Sequence, residues 1–404
     1  MIMAGGTGGH VFPGLTVADV LRERGRAVVW LGTRRGLEAR VVPQHGIDIE
    51  WISVAGLRGK GLRGMLTAPF LAAFAVWQAL AVLRRRKPSA VLGMGGFVSG
   101  PGGLAAWLTR RPLVIHEQNA VAGTTNRWLA RFATRVFEAF PASFPPGVRA
   151  EHVGNPVRRS IAALPPAAER IAELSAADTQ KKVSDTFSCD AAEKKVSDTF
   201  FGDTSSQKMV SDTFFPVSGT SSARRPRLLV VGGSQGARVL NSTVPAALAL
   251  LPDALRPEVR HQAGRFADEA RAAYRGAGLD ADVREFIDDM AEAYGWADLV
   301  VARAGALTIA ELAAAGLPAV LVPYPHAIDD HQTRNAEWFV GAGAGVAIAE
   351  RDLDPERLAA ELRGLLGAPR DRLEPMAVAS RKLARIDAAE RIADACIALA
   401  EGRR

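Results

Sequence analysis

Two Rossmann-like domains of α/β class, each built on its own parallel sheet, are predicted by three observations. Short β-branched runs alternate along the chain with alanine- and leucine-rich stretches of helical character. A glycine-rich turn joins a strand-like run to a helix-like run once in each half, as Gly5-Gly6-Thr7-Gly8-Gly9-His10 and as Gly232-Gly233-Ser234-Gln235-Gly236-Ala237-Arg238. The 404 residues, 48% hydrophobic and 23% charged, suit two globular domains of ordinary size.

The strand candidates of the first half are Ala27–Leu31, Ile49–Val54, Ala90–Leu92, Leu113–His116 and Thr134–Phe137, each followed by a segment able to form a helix. Those of the second half are Arg227–Val231, Asp282–Phe286, Leu299–Val301 and Ala319–Val322. Strand-helix alternation implies right-handed crossovers and parallel sheets, with ligands bound beyond the carboxyl ends of the strands. The expected division is residues 1–164, a linker at 165–225, and residues 226–384. A last helix at about 385–404 is expected to cross back onto the first domain.

The linker carries three near-copies of one motif, Lys181–Phe187, Lys194–Phe200 and Lys208–Phe214. Each copy is too short for a solenoid layer, and the Ser, Thr, Asp, Lys and Gly around it predict a mobile insertion. Cys189 in this stretch is read as incidental. With Cys396 the only other cysteine, neither a disulfide framework nor a cysteine-based zinc site is expected.

Met1-Ile2-Met3-Ala4 runs directly into the first glycine turn without a secretion-signal pattern, so a cytoplasmic location is the default expectation. The same brevity predicts an unusually short first strand. The formal charge of +7 fits anionic partners such as nucleotides or lipid headgroups, and equally an arginine-rich compositional bias. No zinc-finger, RNP-type or helix-turn-helix pattern accompanies it, and no nucleic-acid partner is expected.

Met65–Leu83 is nearly apolar, interrupted by Pro69 and Gln78, and is followed by Arg84-Arg85-Arg86-Lys87. Spanning a bilayer would separate two strand candidates of one sheet. The preferred reading is a helix lying on a membrane, with Phe70, Phe74 and Trp77 towards lipid and Arg84, Arg85 and Arg86 at anionic headgroups. An ordinary crossover helix is the alternative. Trp107, Arg110 and Arg111 either extend that face or end a plain surface helix.

Glycines let a backbone approach an anion, and a following helix N-terminus directs free N–H groups at it, so phosphate is the first ligand class to consider. The first turn lacks the G-x-G-x-x-G spacing, no acid ends the second strand candidate, and neither turn has a P-loop lysine. Nicotinamide and ATP are disfavoured. A nucleotide or pyrophosphate in an interdomain cleft remains.

Six segments in order then carry a family resemblance. They are Gly5–His10 continuing Val11-Phe12-Pro13-Gly14, Gly93–Pro101, His116-Glu117-Gln118-Asn119, Gly154-Asn155-Pro156-Val157, Gly232–Arg238 and Ala304–Glu311. Together they closely resemble the MurG family, the GlcNAc transferases of peptidoglycan synthesis, over almost the whole chain outside the insertion. The resemblance implies a GT-B glycosyltransferase that inverts at the anomeric carbon with no metal or cofactor. UDP-GlcNAc is then the donor and undecaprenyl-pyrophosphoryl-MurNAc-pentapeptide (lipid I) the acceptor, at the cytoplasmic face of the inner membrane.

By motif match, Ile287 meets the uracil through its backbone and Glu311 accepts from the ribose hydroxyls, a task suited to an acceptor-only carboxylate. Arg303, Ser234 and the helix start Ala306-Leu307-Thr308, continued by Ile309 and Ala310, hold the diphosphate as its charge grows. Gln332 and Asn335 read the sugar hydroxyls from one helix face. Thr7, Gly8, Gly9, Asn119 and Arg158 surround donor and acceptor. His10 is the chosen general base, ahead of orienting the acceptor pyrophosphate or capping a helix, because imidazole titrates near neutral pH.

Asp329-Asp330-His331 resembles a metal cluster, but capping and sugar-site support are preferred for residues that diverge around a helix start. His116-Glu117 is read as a pair shaping the loop that holds Asn119. Ala304 stands where the family commonly has serine, removing one donor near the diphosphate. A UDP-sugar epimerase and a noncatalytic nucleotide-binding scaffold are the competing classes. An epimerase would not need the apolar helix, and a scaffold would not need His10, Glu311 and Gln332 together.

Overall fold

The computed structural model describes residues 1–54, 62–172, 174, 224–233 and 237–403. The repeat insertion, Cys189 and Ser234 lie outside them. The first sheet contains β1 (Ile2–Met3), β2 (Val29–Gly32), β3 (Asp48–Trp51), β4 (Val91–Gly93), β5 (Leu113–Glu117), β6 (Arg135–Glu138) and β7 (Glu151–His152). The second contains β8 (Arg227–Val231), β9 (Glu258–Gln262), β10 (Asp282–Arg284), β11 (Leu299–Ala302), β12 (Ala319–Leu321) and β13 (Gly345–Ala347).

Strand order is β3-β2-β1-β4-β5-β6-β7 in one sheet and β10-β9-β8-β11-β12-β13 in the other, and every pairing is parallel. In each sheet the order reverses beside the strand that precedes a glycine turn. Both turns therefore occupy switch points, where open α/β sheets bind ligands.

The helices that precede the linker are α1 (Gly8–Glu23), α2 (Glu38–Gln44), α3 (Leu62–Arg86), α4 (Ser99–Leu108), α5 (Thr124–Leu129) and α6 (Arg159–Ala162). After α7, at residues 167–172, the second domain adds α8 (Arg238–Ala249), α9 (Ala267–Gly276), α10 (Met290–Trp296), α11 (Ala306–Ala315), α12 (His331–Gly341), α13 (Pro355–Leu366) and α14 (Pro369–Lys382). The last helix is α15 (Ala388–Ala400).

Short as it is, β1 forms the centre of its sheet. Ile2 joins the core on one face and Met3 the core on the other, both fully buried. The bonds Leu92 N to Met1 O and Met94 N to Met3 O, 2.9 and 2.8 Å, complete the ladder. Three strands have no counterpart among the sequence candidates, for different reasons. The register of β9 places Glu258, Arg260 and Gln262 in a strand with only Val259 apolar, and pairing with the hydrophobic β8 outweighs its composition. β7 and β13 are too short to show periodicity.

α15 packs on α1, and Ala389, Ile392, Ala393, Cys396 and Leu399 complete the core that holds Val17, Val20 and Leu21. Ion pairs of Arg24 with Asp394 and Arg26 with Glu401 line the contact, and Arg391 with Glu151 ties α15 to β7. The chain's end thus belongs structurally to the first domain. Burial pushes the Cys396 thiol up to about 12, so it is an inert core residue.

The two ends of the linker meet at one carboxylate. Asp298, fully buried, accepts from Arg224 at 2.6 and 2.9 Å and from the Arg227 amide at 2.9 Å, and Arg170 lies 3.6 Å away. Asp298→Ala would remove the buried carboxylate that Arg224, the Arg227 amide and the half-buried Arg170 share. Its unfolding midpoint in urea should fall by an amount equivalent to about 3 kcal/mol.

Candidate active site

The first glycine turn is held from below by a residue that no local pattern marks. Glu38, fully buried at the start of α2, accepts from the Gly6 amide at 2.9 Å and from the Thr33 amide and hydroxyl at 2.9 and 2.7 Å. From above, the β4–α4 loop presses onto the same turn. A Cβ at Gly96, whose φ is +79°, would lie 2.1 Å from the Gly5 carbonyl oxygen, so two backbones meet where no side chain fits.

Thr7 then begins α1, and its carbonyl accepts from His10 and Val11 at 3.1 and 3.3 Å. His10 stands in the first turn of this helix, after Gly8 and Gly9, rather than in the loop. Its Nδ1 lies 3.0 Å from Oε1 of Gln118.

At the end of β5, Glu117 gathers the following loop. It accepts from the Asn119 amide and side chain at 3.0 and 3.3 Å, from Gly123 N at 3.1 Å and from Asn126 at 2.9 Å. The pair His116-Glu117 thus shapes the loop holding Asn119. His116 is wholly buried, bonds the Gly154 carbonyl through Nε2 at 2.9 Å, and is pushed down to about 4 by burial.

The second domain faces this surface with α11. Its first-turn amides have no intrahelical partner, leaving Ala306, Leu307 and Thr308 as backbone donors at the positive end of the helix dipole. Ile309 and Leu312 are core residues. One turn further along, Glu311 is buried, accepting from Arg158 at 3.0 Å across the domain boundary and from the Tyr294 hydroxyl at 3.1 Å. Burial raises its pKa, while Arg158 and then Tyr294 draw it back. Arg158 also lies over Phe12, 5.9 Å from its ring centroid.

Two asparagines join the domains beside α11. Asn155 donates to the carbonyls of Gln118 and Ala306 at 3.0 and 3.3 Å. Asn335, expected on a sugar-facing surface, is instead fully buried: it accepts from Ala120 N at 2.8 Å and donates to Ala304 O at 3.1 Å. Its helix face turns inward because Ala336 and Phe339 on α12 are core residues. Gln332 accepts from the Tyr324 amide at 2.9 Å.

Arg303 follows β11, donating to the Val322 and Pro323 carbonyls at 3.2 and 3.4 Å and pairing with Glu350 at 2.5 Å. Ile287 is buried, with its amide donating to Gln262 at 3.3 Å. Asp329 and Asp330 both have positive φ, and Asp330 accepts from the Thr333 hydroxyl rather than capping α12. No group of three His, Cys, Asp or Glu suited to a metal occurs among the described residues.

The apolar helix α3 is amphipathic across its width. Ala75, Ala79, Val82 and Leu83 are buried, while Phe70, Phe74 and Trp77 are 78%, 49% and 62% exposed, with the last two rings stacked at 5.8 Å. All three arginines at its basic end are exposed. Arg85 and Arg86 also pair with Glu50 at 2.5 and 2.6 Å, because β3 ends beside them. Trp107 and Trp128, both partly exposed, flank Phe132 at 5.0 and 5.1 Å. No helix among the described residues is long and apolar enough to cross a membrane.

Residues 1–138 match the glycosyltransferase family 28 N-terminal domain, and residues 227–392 match the family 28 C-terminal domain. With two facing parallel sheets, this defines a GT-B glycosyltransferase. The chain is 53% identical over 398 residues to the UDP-N-acetylglucosamine--N-acetylmuramyl-(pentapeptide) pyrophosphoryl-undecaprenol N-acetylglucosamine transferase of Alkalilimnicola ehrlichii, covering 98% of each. It is 53% identical over 403 residues to the protein of the same name from Nitrosococcus oceani, covering 100% of this chain and 99% of that one. The crystal structure of Acinetobacter baumannii MurG superposes with a TM-score of 0.74 at 36% identity, covering 98% of each chain. The chain belongs to the MurG family. A UDP-GlcNAc 2-epimerase from Neisseria meningitidis, at 13% identity and a TM-score of 0.59, shares the fold alone.

The two buried histidines give the fold an acid limit. His116 is pushed down to about 4 and His261 to about 3, in each case chiefly by burial, from an ordinary 6.5. Below pH 6.5 the unfolded chain binds protons that the folded chain refuses, so stability falls with falling pH until each folded-state value is reached. By pH 4 the loss should be on the order of 3 kcal/mol per histidine. Urea unfolding at a series of pH values should show this slope, and His261→Gln should flatten it.

Proposed function

We propose that this chain transfers GlcNAc from UDP-GlcNAc to the MurNAc 4-hydroxyl of lipid I, with inversion, releasing UDP and forming lipid II for peptidoglycan. The observation that carries the proposal is the contact of Arg158 with Glu311 of α11, beside α1, which carries His10, and the loop that holds Asn119. Full-length similarity to named GlcNAc transferases supports the substrates.

The donor lies against the second domain, with its uracil at the Ile287 backbone and its ribose at Glu311. Arg158 and the Tyr294 hydroxyl keep that carboxylate an acceptor despite burial. The diphosphate lies at the α11 N-terminus with Arg303 and Ser234, and Gln332 reads the sugar. As the glycosidic C–O bond breaks, its electron pair moves onto the β-phosphate, and helix-end amides stabilise the growing charge. The acceptor oxygen attacks the anomeric carbon from the opposite side, and its proton passes to Nε2 of His10.

Lipid I reaches the site from the membrane plane. The exposed aromatics of α3 enter the lipid interface with Arg84 at anionic headgroups, making the enzyme peripheral on the cytoplasmic face. This matches the amphipathic burial of α3.

Four measurements test these assignments. UDP release from UDP-GlcNAc should depend strictly on a lipid I analogue, and acceptor-independent turnover, as an epimerase would show, refutes the transferase. His10→Ala should lower kcat by about 10² to 10⁴, and Glu311→Gln should raise the KM for UDP-GlcNAc about tenfold or more. Separately, Phe70→Glu or Trp77→Glu should weaken sedimentation with vesicles containing anionic phospholipid by about tenfold, and unchanged partitioning rejects the membrane face.

A further inference from the structure

We infer that Gln118 and His116 are positioning residues that set the tautomer of His10, so that its Nε2 presents a lone pair to the cleft. The inference rests on the reading of His10 as the base and specifies what makes it one.

The direction of the hydrogen bonds follows from two backbone carbonyls that can only accept. Gly154 O lies 2.9 Å from His116 Nε2, so that nitrogen carries hydrogen. His116 is buried and neutral, which leaves its Nδ1 as an acceptor. Nε2 of Gln118 lies 3.1 Å from that Nδ1 and 2.7 Å from Met94 O. The amide orientation is thereby determined twice over. Were it flipped, the Gln118 oxygen would sit 2.7 Å from another carbonyl oxygen, with no hydrogen between them. Oε1 of Gln118 must therefore point at His10 Nδ1, 3.0 Å away, and it can only accept. In neutral imidazole a protonated Nδ1 leaves Nε2 unprotonated.

Burial makes this order costly to reverse. His116 and Gln118 are 0% and 2% exposed, so water cannot replace a lost partner. The β4–α4 loop covers the terminal bond at Gly95, which has φ +93°. A Cβ there would lie 2.7 Å from His10 Nδ1 and 3.3 Å from Gln118 Oε1, so only glycine allows the loop to cover it. An amide oxygen, unlike a carboxylate, orients the imidazole without adding a negative charge. When Nε2 takes a proton the same bond stabilises the imidazolium, and His116 stays neutral throughout.

The test is ¹⁵N-histidine NMR of the full chain, with His10 assigned by loss of its signals in His10→Ala. The wild-type protein should show Nδ1 protonated and Nε2 free, and His10→Gln supplies the same assignment should His10→Ala fail to fold. In Gln118→Met the two tautomers should mix, and kcat should fall about 10² to 10³ with the KM for UDP-GlcNAc within twofold. Added to His10→Ala, Gln118→Met should cost nothing further, because it acts through His10. Nε2 protonated in the wild-type protein, or losses that add in the double variant, would overturn the inference. Should His10→Ala retain full kcat, the base assignment falls, and the NMR result decides the tautomer independently.

Discussion

All strand pairings in both sheets are parallel, and the arrangement of the site depends on that constraint. Parallel pairing sends each connection back across a helix, so every strand's carboxyl end and the following helix's N-terminus lie on the same side. Residues from two chain halves can then face one another with backbone amides forward. Gly5–His10 follows β1, Gly95 and Gly96 follow β4, and Arg303–Ala306 follow β11, each beside the strand where its sheet's order reverses. A chemistry that must stabilise a departing diphosphate finds helix N-termini already there.

The boundary between the domains is polar at the site and apolar behind it. Arg158 with Glu311, Asn155 with the Ala306 carbonyl, and Asn335 with the Ala120 amide join the facing surfaces. Behind them Phe140 packs edge-on to Trp338 at 4.9 Å, and the chain returns through α15 to the core of the first domain. A carboxylate assigned to a ribose is here occupied by an arginine of the opposite domain.

Much of the architecture was legible because it rests on local signals. Apolar strands such as Arg227–Val231 and glycine turns at strand ends announce themselves, and six ordered motifs carry the family resemblance. The faces of α3 were readable from the spacing of Phe70, Phe74 and Trp77. What escaped was whatever depends on a distant partner. β9 has charged residues at alternate positions and is a strand because β8 lies beside it. Glu38 secures a turn 32 residues away, and nothing near it in sequence marks that role. Asn335 was placed with Gln332 by helical spacing, but core packing of α12 turned it inward.

The sequence alone thus determined the fold class, the glycine turns at the switch points and the family, since these follow from periodicity and from chemistry carried by short motifs. The tertiary structure alone decided which atoms meet: Glu311 with Arg158, Arg85 and Arg86 with Glu50, His10 with Gln118, Gln118 with His116, and His116 with Gly154. The reason is physical. A hydrogen bond takes its direction from partners placed within about 3 Å by the packing of separate elements, and residue order along the chain carries no such distance.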